Sequence, residues 1–224
     1  MSFKLLRLSK TFLDRFFFLK KIYYSIFNKN YNFTKTLINQ YYTGKKKTVL
    51  SFSSIGAGTK YVQNEEFFSL TKKYNVLFIR DITRSWFNNV DAKLIKKNIS
   101  KKLCYAIGHS MGGFNAIIFS TLHNVQKVIA FSPQFSIHPN ITKDTTFRNH
   151  ALRIKDWKYP KLEFSKNTDY LLIFGDDNKE KYHASLIPKQ KNIRIVYIKN
   201  CDHNSAKKLK KQKELYKTIN NFFK

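Results

Sequence analysis

Leu103-Cys104-Tyr105-Ala106-Ile107-Gly108-His109-Ser110-Met111-Gly112-Gly113-Phe114 runs from an apolar stretch, through a serine flanked by glycines, into a helical pattern. A serine hydroxyl is a weak nucleophile unless it is held exposed beside a base. A very sharp strand-to-helix turn provides that exposure and strains the serine backbone. Gly108 and Gly112 leave room for such a turn because they lack side chains. A helix beginning at Met111 points its first amides, and its positive dipole end, at any oxyanion formed over the serine. The Met111 amide is therefore one expected oxyanion donor.

Working outward from this turn, short apolar runs recur at Thr48–Phe52, Asn75–Ile79, Leu103–Ile107, Lys127–Phe131, Tyr170–Phe174 and Ile193–Ile198. Most are apolar on both faces, as buried parallel strands are. Helical patterns lie between them at Val62–Lys73, Asp91–Ser100, Gly112–Leu122 and Lys181–Leu186, with a last one from Asn204 to Phe223. This alternation predicts an α/β fold: a mostly parallel sheet of about six strands with helices on both faces. Tyr31–Tyr42 reads equally as a short strand or a helix. One gap, Ser132 to Asp169, breaks the rhythm with Pro133, Pro139, Pro160 and several aromatics. An insertion there sits above the carboxyl ends of the strands, where open α/β sheets bind ligands.

The strand, the Gly-His-Ser-Met-Gly-Gly turn and the helix together resemble the nucleophile elbow of the α/β-hydrolase superfamily. The resemblance covers the chain from about Thr48 to its end. It implies an order of serine, acid and histidine along the chain. His203, in the loop between the last strand and the last helix, stands where the superfamily places its general base. The acid is implied in the turn after Tyr170–Phe174, which reads Gly175-Asp176-Asp177-Asn178-Lys179-Glu180. Asp176 and Asp177 are the first candidates there and Glu180 a third, while a common family spacing falls on Asn178, which carries no charge. A second oxyanion amide is implied after Thr48–Phe52, at Ser53 or Ser54, where many relatives carry His-Gly.

Arg80, Arg84 and Trp86 follow the Asn75–Ile79 strand. Two arginines and a tryptophan there suit an anionic or sugar-like substrate, and a structural turn is the competing reading. His109, inside the elbow, joins them as a candidate substrate-binding residue, and Ser132-Pro133-Gln134 lies near the expected mouth. A metal site from Asp176, Asp177, His183, Asp202 and His203 would need a ligand spacing that the sequence does not show. The expected chemistry uses no metal and no cofactor. Cys104 reads as a small buried apolar residue, and pairing with Cys201 is not expected.

The 224 residues carry 42 Lys+Arg against 14 Asp+Glu, a net charge of +28. The basic residues are spread along the chain, alongside abundant Asn, Ile, Phe and Tyr. That pattern favours compositional bias over a dedicated polyanion site, so no specific nucleic acid is expected. The charge does predict salt-sensitive adhesion to anionic surfaces. Two cysteines exclude a disulfide scaffold, and no apolar run approaches the roughly 20 residues of a membrane span. Leu5, Leu8, Phe12, Phe16, Leu19, Tyr23 and Ile26 recur at helical spacing among Lys and Arg. They predict a basic amphipathic helix over residues 1–30, packed on the domain or lying on an anionic membrane. The remainder, 31–224, reads as one α/β-hydrolase domain with its insertion at about 132–169. The sequence therefore predicts a cytoplasmic protein, with contact at the membrane periphery as an option. Its expected partner is a small acyl ester or thioester, attacked by Ser110 with His203 as base. The resemblance, whose family includes esterases, lipases, thioesterases and acyltransferases, leaves hydrolysis and acyl transfer both open. The rival is an inactive, hydrolase-like binding protein docking on anionic membrane or nucleic acid.

Overall fold

The computed structural model describes residues 35–42, 44–56, 63–99 and 103–224. Among them one sheet of seven strands forms, in the order β1-β3-β2-β4-β5-β6-β7. The strands are β1 (Thr36–Tyr41), β2 (Lys47–Phe52), β3 (Asn75–Asp81), β4 (Leu103–His109), β5 (Lys127–Phe131), β6 (Asp169–Gly175) and β7 (Ile193–Ile198). The expected six are all present and parallel to one another. The seventh is β1, which lies antiparallel to β3 with Thr36 opposite Asp81. That settles Tyr31–Tyr42 as strand where it is described. The amphipathic helix expected over 1–30 lies outside the described residues.

Alternate residues of each central strand face opposite layers, because side chains alternate across a sheet. Leu50, Phe52, Leu77, Ile79, Ala106, Ala130 and Leu172 face one core. Helix α1 (Ala92–Lys97), helix α2 (Met111–Leu122) and the insertion cover it. Val49, Val76, Phe78, Tyr105, Ile107, Ile129 and Ile173 face the other. That side is covered by a 3-10 turn at Phe68–Lys72, helix α5 (Ser205–Lys211) and helix α6 (Leu215–Phe222). Helix α2 is buried from Met111 through Ser120, with the sheet on one side and the insertion's Ile137, Ala151, Ile154 and Leu162 in the same cluster.

Two helical expectations are corrected. Among the described residues of the Val62–Lys73 stretch, 63–73, only the 3-10 turn forms. Phe67, with φ of 57°, is left-handed and breaks any helix there. Ser53 Oγ and Ser51 Oγ, donating to Asn64 O at 2.7 Å and Glu66 O at 2.8 Å, hold the preceding segment against the end of β2. The single last helix is two, because Lys213 has φ of 63°. That left-handed residue breaks the ladder and lets both Leu209 and Ile219 reach the sheet.

The insertion contains one short helix, α3 (Arg148–Ala151), and is pinned on two sides. Tyr159 N donates to Asn88 Oδ1 at 2.8 Å, and His183 Nε2 meets Asp144 Oδ2 at 3.0 Å. His183 belongs to α4 (Asn178–Ser185), so the insertion is tied to the helix that follows β6. Cys104 and Cys201 are both free and buried. No described helix is long and apolar enough to cross a membrane.

Candidate active site

Ser110 sits between β4 and α2 with φ of 55° and ψ of −126°. A left-handed backbone of this kind is strained for a side-chain-bearing residue. The neighbours impose it. Ser110 N donates to Phe131 O at 2.8 Å, and Ser110 O accepts from Phe114 N at 3.0 Å. A Cβ on Gly108 would lie 2.1 Å from Gly112 O, and one on Gly112 would lie 2.2 Å from Phe52 O. Both glycines are therefore required by backbone-to-backbone contact. The turn aims the serine hydroxyl along the sheet's carboxyl edge.

Two side chains meet Ser110 Oγ there. His203 Nε2 is 2.8 Å away and Gln134 Nε2 is 3.1 Å away. On its far side the imidazole presents Nδ1 to Glu180 Oε1 at 2.8 Å. His203 is brought in by the loop between β7 and α5, which passes so close to Gly175 that a Cβ there would lie 2.3 Å from Cys201 O and from Asp202 O. His109 holds that loop from behind, its Nε2 lying 2.8 Å from His203 O. Burial pushes the His109 imidazole down to about 4, and nearby His203 pushes the same way. His109 is therefore neutral at pH 7, and its Nε2–H donates to the carbonyl.

Glu180, rather than Asp176 or Asp177, is the acid against His203. The reason is local. Asp177 caps α4, its Oδ1 accepting from Glu180 N at 2.9 Å. Glu180 is then the third helical residue, and its side chain turns back toward the strand end, as first-turn side chains do. Its Oε2 accepts from Gly175 N at 3.2 Å while Oε1 takes the imidazole. Asp-x-x-Glu before a helix is a capping-box pattern that marks Asp177 as the cap, but here the Glu180 side chain passes to Gly175 N and the imidazole, contacts set by the fold. Asp176 instead accepts from Asn200 N and Cys201 N, both at 2.9 Å, and fastens the histidine loop. Glu180 is almost fully buried. Burial by itself raises its pKa, but hydrogen bonds from His203, Ser132 and Gly175, with the charge of His203, outweigh it and hold the carboxyl below its ordinary value.

Met111 opens α2, so its amide has no intrahelical acceptor. The two other expected oxyanion amides are both engaged. Ser53 N donates to Ile79 O at 3.0 Å, extending the sheet ladder. Ser54 N donates to Glu66 Oε1 at 3.1 Å, and Ser54 Oγ donates to the same oxygen. Burial raises Glu66 to about 7, against the lesser opposing pull of the Ser54 bonds.

The expected substrate-binding residues each make contacts within the fold, while Arg80 Nε and Arg84 Nη2 are buried with no hydrogen-bond partner among the described residues. Arg80 is 2% exposed, and its Nη1 reaches Gln63 O at 3.4 Å. Arg84 Nε donates to Ile55 O at 2.8 Å. Trp86 is fully buried, and its Nε1 donates to Gln134 Oε1 at 3.0 Å. His109 holds the histidine loop. The turn after β3 is organised by Asp81, whose Oδ2 accepts from Ser85 N at 2.8 Å and Phe87 N at 3.3 Å. Aromatic residues of the insertion stand over the site: Phe147 lies 6.3 Å from the His203 ring and 5.1 Å from Trp86. The five residues weighed as a metal site do not converge, and no group of three or more His, Cys, Asp or Glu able to hold a metal occurs among the described residues. Neither the Gln134–Ser110 contact nor the His109–His203 contact is readable from local sequence, since each joins residues far apart in the chain.

Among solved structures, the chain is similar to the capsule O-acetyltransferase of Neisseria meningitidis serogroup A. Identity is 19% and the TM-score 0.61, over 83% of this chain and 91% of that one. It is also similar to the carboxylesterase CesB from Bacillus subtilis, at 14% identity and TM-score 0.53, over 84% of this chain and 87% of that one. A serine hydrolase involved in carbazole degradation aligns at 15% identity and TM-score 0.52, over 83% of this chain and 93% of that one. At these identities the likeness is one of fold. No curated protein matches the chain. A family model described as serine aminopeptidase, S33, matches residues 79–214, from the end of β3 through the elbow, Glu180 and His203. The chain belongs to that family and, with it, to the α/β-hydrolase superfamily.

Proposed function

We propose that the chain is a serine hydrolase that cleaves a carboxylic ester or thioester through an acyl-enzyme on Ser110. The observation that carries this reading is the relay of two 2.8 Å contacts, from Ser110 Oγ to His203 Nε2 and from His203 Nδ1 to Glu180 Oε1. His203 takes the hydroxyl proton as Ser110 attacks the carbonyl. Glu180 holds the imidazole in the tautomer that accepts at Nε2 and stabilises the imidazolium. The protonated imidazole then gives its proton to the leaving group, and water attacks the acyl-enzyme with His203 as base again.

The Met111 amide is one oxyanion donor, and Ser54 supplies the second. Its amide is held only by the side-chain carboxyl of Glu66, which a substrate oxygen can replace, whereas the Ser53 amide belongs to the sheet. Substrate is a small acyl compound, and the net charge of +28 favours peripheral contact with anionic membrane surfaces.

A fluorophosphonate probe tests the reading. The protein should be labelled, and the label should vanish in Ser110→Ala and survive high salt. A folded sample that takes no label would favour the binding-protein rival. Substrate panels should include an aminoacyl p-nitroanilide beside esters and thioesters, since the family carries a peptidase description. Turnover of the anilide alone would replace the ester reading. Sedimentation with anionic liposomes at low and high salt checks the membrane contact.

A further inference from the structure

Beside Ser110, on the side that faces His203, stands a polar group that the serine–histidine–glutamate relay does not use. Gln134 follows β5 and is 2% exposed. Chemistry decides which way its carboxamide points. An indole N–H can donate but not accept, so Trp86 Nε1, at 3.0 Å, must meet Oε1. The NH2 group is thereby turned to Ser110 Oγ at 3.1 Å and His203 Nε2 at 3.4 Å. Trp86 is itself fixed, fully buried and packed on Phe147 and His150 at ring distances of 5.1 and 5.5 Å. Ser110 Oγ thus donates its proton to the imidazole and accepts one from a rigidly aimed amide.

We infer that Gln134 is a further catalytic residue, whose NH2 group, aimed by Trp86, binds the leaving oxygen of the substrate and so selects oxygen esters over thioesters. The inference rests on the acyl-enzyme reading above. In acylation the Oγ–C bond forms as the Oγ proton passes to His203 Nε2, and the carbonyl π pair moves onto the oxyanion. On collapse, the bond from carbon to the leaving oxygen breaks and that oxygen keeps the pair. It then takes the proton from Nε2, giving acyl-Ser110 and an alcohol. To receive that proton, the leaving oxygen must lie within hydrogen-bonding reach of Nε2, in the space that Gln134 Nε2 also faces. By then Oγ is part of an ester and a poorer acceptor, so the N–H of the fixed amide is available to the departing oxygen. An oxygen carrying developing negative charge accepts an N–H well, and sulfur accepts it weakly. An alkyl alkoxide, the poorest leaving group, gains most, while a p-nitrophenolate departs with little help.

The test uses the full chain with ethyl butanoate, p-nitrophenyl butanoate and S-ethyl thiobutanoate, which share one acyl group. Gln134→Met keeps the volume and removes the donor. Trp86→Phe keeps Gln134 and frees its Oε1, a positioning effect. Fluorophosphonate labelling of Ser110 reports an intact elbow in each variant. In Gln134→Met, kcat/KM should fall about 10- to 100-fold on ethyl butanoate, the worth of a hydrogen bond to a developing charge. It should fall less than about threefold on the other two esters. Trp86→Phe should show the same selectivity with a smaller loss, and it decides the matter if Gln134→Met is not labelled. Equal losses on all three substrates, or none, overturn the role of Gln134 and leave the acyl-enzyme intact. A wild-type protein that neither labels nor turns over any ester removes both.

Discussion

The turn after β4 carries one nucleophilic side chain between glycines, and the turn after β6 carries three carboxylates within five residues. In the first, the backbone decides everything. Gly108 and Gly112 touch main-chain atoms, the serine φ is forced positive, and only Ser110 can occupy the apex. In the second, the backbone leaves three acids close together, and hydrogen bonding gives each a separate task. Asp176 fastens the loop carrying His203, Asp177 caps α4, and Glu180 turns back to the imidazole. A turn built on glycine is specific by exclusion, whereas a turn built on carboxylates is specific by register. Substitutions should therefore act abruptly in the first and be separable in the second.

The largest effect belongs to Ser110→Ala. Loss of the nucleophile should reduce kcat/KM by about 10⁴-fold or more while denaturant midpoints stay near the wild-type value. Next comes Glu180→Gln, which keeps the shape but not the charge that holds the imidazole. Activity should fall by about 10³- to 10⁴-fold, measured as kcat on a p-nitrophenyl ester. An Asp177→Asn or Asp176→Asn loss of the same size would show that the three acids are not separable and would break the comparison.

For Asp177→Ala the expected result is a fold effect instead. Loss of the cap should cost about 1 kcal/mol in urea unfolding, with kcat within a few-fold of wild type.

The smallest effect concerns Glu66, the carboxyl on the Ser54 amide. Its folded pKa is raised from 4.5 to about 7. Between those values the folded chain binds more protons than the unfolded chain, so this group's contribution to stability falls as pH rises through that window and is flat above it. Urea midpoints of wild type and Glu66→Gln, compared at pH 5 and pH 8, should diverge in that sense. Parallel curves would show that Glu66 does not titrate in the window.

The parallel strands and the elbow were legible because each depends on neighbours in the chain. Buried strands read as short apolar runs, and a strained serine needs glycine within two residues. His203 was legible through its place in the order of strands. The edge strand β1 was not, since Thr36–Tyr41 is half polar and is made a strand only by pairing with β3. Nor was the failure of the helix within Val62–Lys73, where Phe67 takes a left-handed backbone and Ser51 and Ser53 hold the segment before it against β2. Arg80, Arg84 and Trp86 lie at the expected strand end, but Arg80 Nη1, Arg84 Nε and Trp86 Nε1 meet Gln63, Ile55 and Gln134, while Arg80 Nε and Arg84 Nη2 are buried with no hydrogen-bond partner among the described residues. Position on a strand end follows from sequence, and the direction of a long side chain does not.

The amino-acid order alone determined a parallel α/β sheet with a serine raised at a glycine-flanked bend, because strand burial and backbone sterics act over a few residues. Only the assembled fold decided that Glu180 faces His203, that Gln134 faces Ser110 and that Glu66 holds the Ser54 amide. Those contacts join segments brought together by the sheet, and each depends on a side-chain direction that packing sets.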